Sequence, residues 1–337
     1  MTPTPQSPPG TNDTLQLLLD AQLQLPAEYQ DQLTSHLPMA LQALHSLGAS
    51  PQRMQAFYVA YSKRFDGVQA TAAALPVADW RSLRGQPDTY PALMGSMRAL
   101  VARNGVDAVL RALLPDLLPG VAAAAFHGLI RTAHAVQSGH AGEVAAALAY
   151  WAWRWQPLAP ARVSTERMPL SAWSQALVRD ALAWRSDGSL ISIRMGQAAQ
   201  GAVYQSLADA LPPFADLQSA IESLAAVAAE RYVASPNFTV LHMITGMRAL
   251  RVLSPWIESQ EGVQPILIRA FTAAYLAAGV VPLAIAPEPR LRTWPEVIAE
   301  GIASNDDHVI KLVHACREEA SVYGEGNYLR VAALAIG

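Results

Sequence analysis

The 337 residues are 52% hydrophobic and 15% charged, with 24 basic against 27 acidic side chains and a formal net charge of −3. Such a chain is too apolar to be disordered over most of its length, and with no basic patch it does not read as a nucleic-acid binder. A single cysteine, Cys316, excludes an intramolecular disulfide and a cysteine-rich zinc site and suits a reducing cytoplasm.

The surplus of apolar side chains implies a large core, together with an apolar pocket or a subunit interface such as that of a homodimer. The first 13 residues, "MTPTPQSPPGTND", are Pro-rich and lack both the basic and the apolar region of a signal peptide; a disordered tail is expected. From residue 14 onward apolar residues recur at intervals of three and four, and no long Val/Ile/Thr alternation appears. The spacing predicts helices over 14–24, 28–47 (broken or kinked at Pro38), 51–64, 89–103, 105–115, 118–138 and 142–155. It predicts further helices over 170–183, 197–210, 214–232, 237–251, 260–277, 294–302 and 305–322. The fold class is therefore all-α: one large multi-helix domain over 14–337 with a buried histidine-lined site. The polar stretch 156–195 is an excursion within that domain, because candidate site residues lie on both sides of it.

Some boundaries have local causes. Asp88 is placed to cap the helix at Thr89. Ser304 precedes Asp307 by three in a loose capping box, with Asn305, Asp306 and Asp307 in the first turn at the positive end of the dipole. Gly324 can end that helix in a left-handed cap. Ala270–Pro287 is the nearest approach to a membrane span, but Gly279 and Pro282 interrupt it, and a span needs about 20 predominantly apolar residues. A buried helix followed by an extended turn is expected there.

No nucleotide, phosphate-loop, zincin or nucleophile-elbow motif is present. What remains is eight histidines. His36 and His45 are nine apart and point in nearly opposite directions on one helix, so at most one faces a shared site; His36, among Leu33, Leu37 and Ala40, reads equally as a core histidine bonded to a carbonyl. His127 and His134 lie on one face with Arg131 between them, as a polar trio in need of partners or as a wet helix interface. His242 has no charged residue within four positions, the pattern of a structural histidine. His308 borders the apolar stripe of its helix, and Lys311 is its neighbour three residues on, able to address the same point or to pair with Asp307. His314 falls on the opposite, solvated flank, and His140 reads as a loop residue. Imidazoles on four apolar helices can together build a metal site, as helical bundles do, and imidazole suits zinc, copper, iron and nickel.

The stretches "HLPMALQALHSLGA", "AFHGLIRTAHAV", "LHMITGMRAL" and "DDHVIKLVHA", in this order, resemble the questin oxidase-like family, whose members are all-helical oxidative enzymes of polyketide aromatics. The resemblance implies a non-haem iron held by four histidines and a carboxylated lysine, which map onto His36, His127, His242, His308 and Lys311. Fungal members tend to show a second histidine where this chain has Arg131, and His134 is a substitute ligand. Asp306 or Asp307 would accept from a ligand's other ring nitrogen. Iron(II) is the metal the resemblance implies and zinc is the alternative. Some relatives use NADPH, for which this chain shows no fingerprint.

The expected function is an oxygenase, mono- or dioxygenase, taking dioxygen and a small apolar aromatic or quinone-like substrate. Tyr58, Phe126 and Trp151 are candidate pocket residues, and Arg131 and His134 are catalytic candidates. Arg131 and Arg248 could bind an acidic group of the substrate or pair with Glu222 or Glu230. A helical small-molecule-binding protein without redox activity and a zinc-dependent hydrolase are the other readings.

Overall fold

Helices with one apolar face become stable by burying that face against one another, and the chain does this throughout. A computed structural model describes residues 10–30, 32–69, 72–161, 167–257, 262–280 and 290–337. Among them run α1 (Thr11–Gln22), α2 (Leu37–Ser46), α3 (Pro51–Ser62), α4 (Tyr90–Asn104), α5 (Val106–Leu117), α6 (His127–Ser138), α7 (Ala141–Trp153) and α8 (Leu170–Ala181). They are followed by α9 (Ile191–Ala198), α10 (Ala202–Leu207), α11 (Leu217–Ala234), α12 (Phe238–Ile257), α13 (Val263–Ala277), α14 (Trp294–Ala303), α15 (Asp307–Tyr323) and α16 (Tyr328–Ile336). The one sheet among the described residues is a two-stranded antiparallel hairpin, β1 (Glu28–Tyr29) with β2 (Leu33–Thr34), in the register Glu28↔Thr34. The fold is all-α.

Several boundaries depart from the sequence reading for identifiable reasons. The expected helix over 28–47 becomes the hairpin followed by α2: Gln30 and Gln32 take positive φ values of 33° and 74°, and Pro38 sits in the first turn. Proline is tolerated there because its missing N–H would have no intrahelical partner. The expected helix over 118–138 starts only at His127, after three consecutive non-glycine residues with positive φ, Ala124 (45°), Ala125 (58°) and Phe126 (68°). Asp88 does not cap α4; it adopts φ 60°, and Thr89 is the cap position, its hydroxyl donating to the Gln86 carbonyl at 2.9 Å. The helix expected over 197–210 is divided into α9 and α10 near Gly201.

At the chain ends, residues 1–9 of the expected tail lie outside the described residues, whereas residues 11–13 belong to α1, where the Asp13 carboxylate accepts from Gly10 N–H at 3.3 Å. The apolar stretch at 270–287 is helical as far as Ala277, and residues 281–289 lie outside the described residues. No described helix is long and apolar enough to cross a membrane. α16, which the sequence reading lacked, packs on α11, α14 and α15.

Among the described residues, buried apolar side chains fall into two clusters. The larger spans most of the helices; the smaller holds Leu15, Leu19, Leu37, Leu41, Leu44, Met54, Phe57 and Ile310, joining α1–α3 to α15. Four helices close a ring, with α2 against α6, α6 against α12, α12 against α15, and α15 against α2. Buried ion pairs sew the ring to itself and its neighbours: Arg248 Nε donates to Glu318 at 2.6 Å between α12 and α15, and Arg131 Nε donates to Glu143 at 2.6 Å between α6 and α7. These are the partners of Arg131 and Arg248, in place of Glu222 or Glu230.

The α6–α7 contact depends on one missing side chain. A Cβ at Gly128 would stand 2.9 Å from Trp151 Cα and 2.8 Å from Trp151 Cβ, so the helices meet backbone to backbone. Gly128→Ala is therefore expected to destabilise the fold by about 1–3 kcal/mol, the usual range for overpacking. Denaturant unfolding checks this; an unchanged midpoint would show that the two helices can separate freely.

Candidate metal centre

All four ring helices present histidines near their N-terminal ends. His36 occupies the N-cap of α2, His127 opens α6, His308 is the second residue of α15, and His242 lies on the second turn of α12. The rings meet: centroids are 4.6 Å apart for His36–His127, 4.5 Å for His36–His308, 4.8 Å for His127–His242 and 5.5 Å for His242–His308. His36, His127 and His242 are buried, while the His308 side chain is 20% exposed.

The outer nitrogen of every ring is spoken for by an oxygen. His36 Nδ1 donates to Asp307 Oδ1 at 2.6 Å, and His308 Nδ1 stands 2.9 Å from the same oxygen. His242 Nδ1 donates to the Phe238 carbonyl at 2.7 Å, and His127 Nδ1 donates to the Ala124 carbonyl. Carbonyls and carboxylates only accept, so each ring carries a proton on Nδ1. The inner nitrogens then face one another as bare lone pairs: His36 Nε2 and His127 Nε2 are 2.8 Å apart, His127 Nε2 and His242 Nε2 are 3.2 Å apart, and His308 Nε2 is buried without a partner. Burial, reinforced by Lys311, pushes His36 down to about 3, and burial holds His127 and His242 well below the ordinary imidazole range. No second proton on these three rings relieves their repulsion at neutral pH. A cation does, and a donor set of neutral imidazoles fits a first-row divalent metal.

Ligand atoms of His36, Asp307 and His308 lie within 4.8 Å of one another, which makes Asp307 a conceivable ligand too. Its oxygens are already engaged: Oδ1 serves His36 and His308, and Oδ2 accepts from Arg64 at 2.9 Å. Asp307 is therefore placed to orient the rings of His36 and His308. Burial alone would raise its pKa, but His36, His308 and Lys311 hold it well below the carboxylate range. The true N-cap of α15 is Asp306, which accepts from the His308 and Val309 amides.

Lys311 is buried because α2 and α12 flank α15 on both sides. Its Nζ lies 4.0 Å from Asp307 Oδ1, outside hydrogen-bond reach. Burial brings its pKa down to about 8, against the pull of Asp307.

The remaining candidates lie elsewhere. His134 donates to Gln42 at 2.5 Å and its ring is 5.5 Å from His314, one turn beyond Lys311. His314, expected on a solvated flank, is buried; its Nε2 is 3.3 Å from Glu318 Oε1 but not aligned for a hydrogen bond. Arg131 is spent on Glu143. His45 is half-buried near the end of α2. His140 caps α7 by accepting from the Glu143 amide at 2.9 Å.

A cavity of about 340 Å³ opens onto His36, His127 and His308. Its wall includes Tyr29, Leu33, Leu190, Ile191 and Phe238, and none of Tyr58, Phe126 or Trp151 lines it. Phe126 and Trp151 are core side chains, and Tyr58 packs on the smaller cluster. Phe238, 55% exposed, has its ring 4.8 Å from His242 and 4.6 Å from His308. A larger cavity, about 630 Å³, is lined by residues such as Asp209, Gln264 and Arg269 and holds none of the histidines.

The family model described as Questin oxidase-like matches residues 33–316. The chain belongs to the questin oxidase-like family. The family's name implies oxidase activity, and the matched segment contains all four converging histidines, Asp307 and Lys311. No curated protein matches the chain.

In this family member, acid acts on the buried imidazoles. An unfolded histidine takes up its proton near pH 6.5, whereas folded His36 resists until about 3, and burial also lowers the pKa of His127, His134, His242 and His314. Below pH 6.5 the unfolded state binds more protons, so stability falls with pH, by up to about 1.4 kcal/mol per unit for each such histidine. Urea unfolding of the metal-free protein is expected to shift to lower midpoints from pH 7 to pH 5; a flat profile would mean that the folded rings take up protons over the same pH range as unfolded ones. Asp307→Asn, which keeps the shape but weakens the acceptor, is expected to lower metal affinity about 10–100-fold, read by competition with a chelating dye.

Proposed function

We propose that the chain is a metal-dependent oxygenase, with non-haem iron held by His36, His127, His242 and His308 and by a carboxylated Lys311, acting on an aromatic or quinone-like apolar substrate. The observation that carries this reading is the shared polarity of the four rings: every Nδ1 faces an oxygen acceptor, the Nε2 atoms of His36, His127 and His242 face one another, and His308 Nε2 is buried without a partner. Core histidines have no need of that arrangement, because a buried polar atom left without a partner costs free energy.

Lys311 completes the donor set. Four imidazoles leave a divalent charge uncompensated in a dry site. With its pKa near 8, the amine is neutral in about one molecule in ten at pH 7. The neutral Nζ lone pair adds to the carbon of carbon dioxide and releases a proton, which yields a carbamate, an anionic oxygen donor like a carboxylate. Bound ferrous iron would supply the redox chemistry for using dioxygen, which the side chains cannot supply themselves.

The chain's own residues do the rest. Asp307 fixes two rings at once. Leu190, Ile191 and Leu33 make the cavity apolar. Phe238 stands at its exposed edge, over His242 and His308, and offers a face on which a planar ring can stack.

Elemental mass spectrometry of the purified protein tests the centre. About one iron per chain is expected, falling by at least about tenfold in His242→Ala, since loss of one of few ligands removes a large share of the binding free energy. Lys311→Ala is expected to lose metal and to regain it with formate or acetate; undiminished metal without them would overturn the carbamate. Zinc alone, with no iron bound after anaerobic ferrous loading, would overturn the oxygenase reading. Labelled dioxygen then separates the two classes: two labelled atoms in the product without added reductant mark a dioxygenase, and one labelled atom with consumption of NADPH marks a monooxygenase.

A further inference from the structure

The cavity wall carries one guanidinium, Arg194, and no aspartate or glutamate among the described residues. Other arginines nearby are matched by carboxylates: Arg64 by Asp307, Arg154 by Glu28 and Arg131 by Glu143. Arg194 has no carboxylate within ion-pair distance among the described residues. Its Nε donates to the Ala277 carbonyl at 3.0 Å and its Nη1 to the Gly188 carbonyl at 3.1 Å. Two main-chain carbonyls thus hold the side chain in place without neutralising it, and no described residue accepts from Nη2. An arginine fixed by neutral acceptors is a preorganised donor for a carboxylate.

The field around it has the same sign. Residues at the starts of five helices line the cavity: His36 of α2, His127 of α6, Leu190 and Ile191 of α9, Phe238 of α12 and His308 of α15. Helix starts carry partial positive charge. A divalent metal would add to it.

We propose that the cavity selects substrates bearing a carboxylate on an aromatic framework, and that Arg194 is the residue that selects them. The substrate's charged group lies against Arg194 at the α9 wall, and its ring system runs past Ile191 and Phe238 toward the histidines. This rests on the cavity being the substrate site of the proposed oxygenase.

The test compares 2-naphthoate with its neutral isostere 2-naphthamide, by calorimetric titration into the full chain, with metal content measured in parallel. Wild type is expected to bind the acid at least about tenfold tighter than the amide, the scale of one charge-assisted hydrogen bond. In Arg194→Gln the preference is expected to fall below about threefold, with metal content and thermal midpoint unchanged; Arg194→Lys, which keeps the charge but not the fork, should keep part of it. Equal binding of acid and amide by wild type, binding of neither, or a preference that survives in folded Arg194→Gln would each overturn the proposal. A preference that depends on Arg194 in a protein that takes up no metal would leave the selection standing and remove the oxygenase.

Discussion

One carboxylate, Asp307, sets the geometry around which the ring of helices is arranged. It is buried, and it bonds three partners from three segments: His36 before α2, Arg64 after α3, and His308 in its own first turn. Removing a carboxylate from water is costly unless hydrogen bonds and opposite charge replace the lost hydration. Here the replacement is made by the same groups that must be aimed, so the bonds that keep Asp307 ionised also turn two imidazoles inward. The other two rings are anchored on main-chain carbonyls, Ala124 for His127 and Phe238 for His242. Orientation is thus built from one buried charge and two stretches of backbone.

The backbone anchor at His127 is unusual. Ala124, Ala125 and Phe126 all adopt positive φ, a region that costs a non-glycine residue roughly 1–3 kcal/mol. The run places the Ala124 carbonyl under the ring and starts α6 at His127 itself. Without it the alanine-rich sequence would extend α6 backward, and His127 would sit within a helix rather than at its mouth. Local propensity and tertiary demand conflict at this point, which is where functional sites are commonly found.

Much of this was legible in the sequence. The period of the apolar residues gives the helices, and four short histidine neighbourhoods in a given order give the family. That the rings of His36, His127, His242 and His308 neighbour one another was expected from the resemblance alone, because spacing cannot relate residues on different helices. What escaped was long-range. Arg64 and Arg194 sit in segments with no motif. Phe238 is one turn before His242, yet only the meeting of α12 with α15 places it over His308. The left-handed run hid behind a string of alanines, residues that favour helix, and the burial of His314 depended on which helices flank α15. Phe126 and Trp151 were sensible pocket candidates by residue type, but the tight α6–α7 contact at Gly128 turns that side of the structure into core.

The hydrogen bond between His36 and Asp307 joins residues 271 apart in sequence. During synthesis His36 leaves the ribosome long before His308, and no chain that stops short of His308 can bring the four rings together. Assembly of the site therefore waits until His308 has been made and is limited by closure of a loop of 271 residues between His36 and Asp307. For the proposed metal centre, the ion would have to arrive after folding, by a route from the surface, and the cavity leading past Phe238 to the partly exposed His308 is such a route. Under that proposal, the supply of metal to the folded protein, rather than its availability at the ribosome, sets how much of it is active.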